Sequence, residues 1–182
     1  NFNQSIDSWD VANVTNMQEM FQESEFNQPI GNWDVSSVIT FELMFAQAYL
    51  FNQPIGNWDV SNAINMKEMF LDAISFNQPI GNWDVSNVTN MSKMFRSSAF
   101  KQPIGNWNVE NVENMFEMFG LSGFNQSINN WEVSNVTNME GMFRQCAYNQ
   151  PLDNWDLESV TSLSNMFFLS AYNQPIDSWD VS

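Results

Sequence analysis

The chain has 182 residues, with 21 acidic side chains against five basic ones and a formal net charge of −16. So acidic a surface repels phosphate, which argues against nucleic acid and anionic membrane faces as partners. With Cys146 the only cysteine and no histidine, an internal disulfide and a Cys/His zinc site are excluded.

Tryptophan stands at Trp9, Trp33, Trp58, Trp83, Trp107, Trp131, Trp155 and Trp179, always 24 or 25 residues apart. A period that regular means one supersecondary unit stacked on copies of itself. The chain reads as a single array over residues 1–182, without a linker. It begins and ends inside repeats, as a fragment of a longer solenoid uncapped at both ends does. No apolar run reaches the length of a membrane span.

Each repeat opens on an aromatic residue (Phe2, Phe26, Phe51, Phe76, Phe100, Phe124, Tyr148, Tyr172), followed two residues later by Gln. Pro comes next in six copies, then Ile or Leu152. Pro cannot donate to a ladder, so this stretch reads as a turn. The Gln column is expected to satisfy turn backbone groups, and the Asn before Trp (Asn57, Asn82 and their equivalents) to form a similar ladder.

Ile80, Trp83 and Val85 follow the spacing of a leucine-rich-repeat strand, with Trp83 and Val85 inward and Asp84 outward. Val88, Met91, Met94 and Phe95 then fall at helical spacing, with Ser86 or Thr89 as N-cap. Thr15 with Gln18 and Thr137 with Glu140 make capping boxes. The expected fold is an α/β solenoid, leucine-rich-repeat-like, of about seven coils. Each coil of 24–25 residues carries a short parallel Trp-Asp-Val strand and a short helix opposite. Val-Thr-Asn-Met is the alternative strand.

Seven copies place an acid after Trp: Asp10, Asp34, Asp59, Asp84, Glu132, Asp156 and Asp180. In a parallel sheet these carboxylates line up about 4.8 Å apart, repel one another, and offer hard oxygen ligands to Ca²⁺. Against that stands a solvated acidic face with loosely held counter-ions. Apart from Ca²⁺ no cofactor is expected. The acids are equivalent by position, whereas acid/base catalysis needs unlike environments. With no histidine to activate Cys146, a nucleophilic site is equally unsupported, so the chain reads as a non-enzyme.

Cys146 replaces Ser98 or Ser122 of other copies and reads as a small packing residue. The methionine columns read as core. Asn-x-Ser/Thr motifs at Asn3, Asn13, Asn87, Asn90, Asn125 and Asn135 are weak glycosylation signals. Copies differ most between the two Met positions and after Met-Phe, which marks solvent-facing stretches. There Leu43, Phe116 and Phe168 stand out as apolar candidates for a binding surface.

The words W-D-V-S-N-V-T-N-M, at 83–91, and F-N-Q-P-I-G-N-W, at 26–33 and 76–83, resemble BspA-like leucine-rich-repeat surface proteins, including the mycoplasma lipoprotein-associated repeats. The resemblance spans the whole chain. It implies an extracellular or cell-surface location and adhesion or protein–protein contact, with no catalytic residues to carry over. A structural rod built by end-to-end self-association and a glycan- or ice-binding face remain as alternatives.

Overall fold

The computed structural model describes residues 2–180. The coils stack in register around one continuous apolar core that runs from Ile6 to Met166. The α/β solenoid with a strand and a helix in each coil is not what forms. Among the described residues there is no helix, and β pairing is confined to single-residue parallel bridges. These run Asn16–Thr40–Asn65–Asn90–Asn114–Asn138–Ser162, one per coil. They fall in the Val-Thr-Asn-Met stretch and not at Trp-Asp-Val.

The expected helix is a chain of tight turns. In the fourth coil Met94, Arg96 and Ser98 donate their amides three residues back, to the carbonyls of Met91, Lys93 and Phe95. The alternate amides, those of Met91, Lys93, Phe95 and Ser97, donate instead to Asn114, Phe116, Met118 and Gly120 of the next coil, at 2.7–3.0 Å. This alternation explains why no helix forms. A helix uses every N–H within itself, whereas stacked coils need half of them for the neighbour. The apolar spacing of Met91, Met94 and Phe95 serves a four-residue turn as well as a helical one.

The turns impose a backbone cost. Lys93 (φ 53°) and Ser97 (φ 55°) sit third in successive turns, where a type II geometry requires positive φ. The pattern recurs at thirteen non-glycine residues among the described ones, from Glu19 to Leu169. An L-residue in this region costs about 1–2 kcal/mol. Inter-coil hydrogen bonds and burial of the Met and Phe columns in the interior coils offset it. Among the described residues, glycine relieves the strain only at Gly141 (φ 62°).

Trp-Asp-Val lies between turns closed by Trp83 N–H to Ile80 O and Val88 N–H to Val85 O. Ser86 and Thr89 therefore cap no helix; Ser86 instead donates its amide to Asp84 Oδ1. Trp33, Trp58, Trp83, Trp107, Trp131 and Trp155 are buried, whereas Trp9 at the first coil is 53% exposed. Each indole from Trp33 to Trp179 donates Nε1–H to the Ile or Leu carbonyl of the preceding coil, at 2.9–3.2 Å. Equivalent rings of Trp58, Trp83, Trp107 and Trp131 lie parallel at 6.5 Å. In the Phe45–Phe70–Phe95–Phe119 column the step is 5.6–5.8 Å. The coils thus open slightly toward the Trp edge.

The two 25-residue spacings also have a cause. The added residue bulges outward after Met-Phe, leaving Tyr49, Leu50 and Ile74 exposed.

Candidate functional site

Three surfaces hold the candidate residues. The first is the acidic column after Trp, whose seven members are all exposed. Five of them have a shared local role. Asp10, Asp34, Asp59, Asp84 and Asp156 each accept the amide two residues on, at 3.0–3.2 Å. Asn108, the exception in the column, makes the same bond to Glu110. This is an Asx turn, which needs the short side-chain oxygen more than the charge. Hydrogen bonds from the Ser36 side chain and backbone hold Asp34 below the usual carboxylate value, and Ser86 does the same for Asp84. No group of three His, Cys, Asp or Glu side chains placed to hold a metal occurs among the described residues.

The second surface is the turn ladder. It gathers Leu43, Phe116 and Phe168 on one face, but under charged neighbours. Lys93 Nζ lies 5.4 Å from the Phe116 ring centroid, and the Arg144 guanidinium 5.6 Å from that of Phe168. Lys67 pairs with Glu42 at 2.9 Å, and Glu117 bridges Arg96 at 2.9 Å and Arg144 at 3.4 Å. Four of the five basic residues of the chain are therefore engaged here, between coils. Leu43 and Phe116 are half-buried, and Phe168 is exposed at the last ladder turn. Leu43 also holds a positive φ of 58°.

The third surface was only partly legible in the sequence. Pro, Gly and Asn of successive repeats line an open groove of about 880 Å³ along the stack. Its floor is glycine for a steric reason. A Cβ on Gly31, Gly56 or Gly81 would stand 2.4–2.7 Å from the Pro carbonyl oxygen of the next coil. The Gln column beside it does satisfy backbone, as Gln53, Gln78 and Gln102 donate to the carbonyls of Asn27, Asn52 and Asn77. The Asn-before-Trp ladder does not form: the side chains of Asn57, Asn82, Asn106, Asn130 and Asn154 are exposed with no partner within the fold, and Asn32 donates to the Asp7 carboxylate of the preceding coil instead of to another Asn. Two other Asn columns do the stacking. One precedes Gln, where Asn27 and Asn52 accept the next coil's amide. The other follows Val-Ser, where Asn62 and Asn87 donate to Ser36 and Ser61 carbonyls.

Cys146 is buried, with Sγ 3.5 Å from Ser122 Oγ, and burial raises its pKa. Thr15, Thr137 and Thr161 face outward. The hydroxyls of Thr137, Thr161 and the half-buried Thr89 are engaged on carbonyls of the preceding coil, and Ile39, Ile64 and Glu113 interrupt the column.

Stacked coils with a lengthwise groove and a ladder face define a repeat protein whose surfaces run along an axis. The sequence model of the family described as "Mycoplasma protein of unknown function, DUF285" matches residues 1–102, 24–122 and 96–182. The chain belongs to that family of repeat proteins. No curated protein and no solved structure matches it. No helix long and apolar enough to cross a membrane occurs among the described residues.

Proposed function

We propose that the chain is a non-catalytic repeat module that contacts other proteins at the cell surface or outside the cell, in adhesion or a related binding role. The observation that supports it best is repetition in space. The same exposed positions recur on every coil, so each surface property is delivered as a line along the stack. Such a line suits an elongated partner better than a single small substrate.

The test is capture. The chain, immobilised through one end, is presented with extracellular and cell-surface protein. Recovery of one defined partner, lost when groove or ladder side chains are replaced, supports the reading. Recovery of nothing above a scrambled-surface control overturns it.

A rod-forming role is the second reading, favoured by the uniformity of the stack: the same indole-to-carbonyl bond joins each coil from Trp33 to Trp179 to the one before it. Filaments in electron micrographs, with no protein ligand captured, would favour this reading.

A further inference from the structure

We infer that the groove along the Pro-Gly-Asn edge docks an extended polypeptide segment and grips its main chain with the Asn column, one coil for every two residues. This rests on the binding-module reading and names its site and partner class.

The first support is the unpartnered amides. Two Asn columns are consumed in holding coils together, whereas Asn57, Asn82, Asn106 and Asn130 reach the groove with no partner. An Asn amide carries a carbonyl acceptor and an NH₂ donor side by side. One residue of an extended strand likewise presents its own N–H and C=O on the same side. The two fit as a pair of hydrogen bonds.

The second support is the step. Coils are 6.5 Å apart at the Trp rings that directly follow these Asn in sequence. An extended chain returns to the same orientation every two residues, about 6.4–6.8 Å. A strand lying along the stack therefore offers an equivalent backbone pair to each successive Asn without losing register. Four coils take roughly seven residues.

The third support is the lining. Pro54, Pro79 and Pro103 form one wall, with no backbone N–H to compete for the strand and an apolar ring to receive every second side chain. The glycine floor admits close approach. The other side chains of the strand point to solvent, where the −16 charge of the chain favours Lys or Arg. A glycan is less well served, because sugar rings stack on exposed aromatic faces and the interior Trp rings are buried.

The probe is an alternating Thr-Lys peptide long enough to span the four Asn, measured by calorimetry against the full chain. A second peptide of equal charge carries N-methyl groups at every other residue. The protein variant is Asn57→Ala with Asn82→Ala and Asn106→Ala, three exposed positions, with its urea midpoint measured alongside. The probe should bind, and affinity should fall about tenfold or more with either change. Equal affinity in all arms would reduce the binding to charge attraction and overturn the inference. So would no binding to the wild type, or a chito-oligosaccharide that binds and is lost in the triple variant. If the variant still captures an extracellular protein while the probe never binds, the groove fails and the module reading survives.

Discussion

The ladder edge and the groove edge of each coil are held to the next coil by different chemistry. At 91–98 every second amide donates to a carbonyl of the next coil, so backbone carries the contact. From 76 to 88 no backbone–backbone bond reaches another coil among the described residues. There the contact is made by side chains and by a missing one: the Trp indole, the Gln and Asn amides, and glycine under the Pro carbonyl. Backbone hydrogen bonds tolerate nearly any residue, and side-chain ones do not. That difference explains why F-N-Q-P-I-G-N-W repeats almost word for word while the pair between the two Met positions drifts from Glu-Leu to Phe-Glu.

The largest effect is expected from removing a groove-edge side chain that does both jobs. Trp83→Ala deletes a buried ring and the bond to Ile55 O, and should cost about 3–5 kcal/mol in urea unfolding. Trp9→Ala, at an exposed equivalent, should shift the midpoint little. Equal losses at both would mean the Trp column is not what joins the coils.

Next comes glycine. Gly56→Ala drives a Cβ to 2.4 Å from Pro79 O, backbone against backbone, and should destabilise by about 1–3 kcal/mol. Gly120 belongs to the ladder edge, and its added Cβ meets nothing closer than 3.4 Å. Gly120→Ala should be neutral or mildly stabilising, since it restricts the unfolded chain. A reversed order would break the distinction between the edges.

On the ladder the strain is in φ. Glu19→Gly relieves a φ of 59° at an exposed site and should stabilise by up to about 1 kcal/mol. Gly141→Ala, at φ 62° and with a Cβ that would stand 2.8 Å from Glu117 Cγ, should lose at least as much. If Glu19→Gly destabilises instead, the turns are not under strain.

The smallest effect concerns the acidic column. Asp84 is held below its usual value by Ser86, so its contribution is present above the unfolded pKa of about 3.9. It is lost as the pH falls through the lower folded value. Asp84→Asn should keep the turn, as Asn108 does, and remove that increment of acid sensitivity from the urea midpoint. Asp84→Ala should be less stable at neutral pH. A melting temperature that falls in chelator, and no longer does so in an Asp59→Asn, Asp84→Asn double variant, would instead mark a cation along the column.

Period and composition determined much of this protein. Regular Trp spacing dictated stacking, because a lone coil cannot bury Ile80, Trp83, Val85, Met91, Met94 and Phe95, and all six are buried. The inward Trp and outward Asp followed from alternation, and the Gln column from the need to satisfy turn carbonyls. The path of the backbone was not legible. Apolar residues at Met91, Met94 and Phe95 are compatible with a helix or a run of tight turns, and the choice lies with the neighbour's carbonyls, which no local pattern reveals. Nor could the similar Asn columns be told apart. Tertiary stacking decided that two of them close hydrogen bonds between coils while Asn57, Asn82, Asn106 and Asn130 face an open groove. An amide finds a partner according to where the next coil falls, and that is set by the whole stack rather than by the sequence beside it.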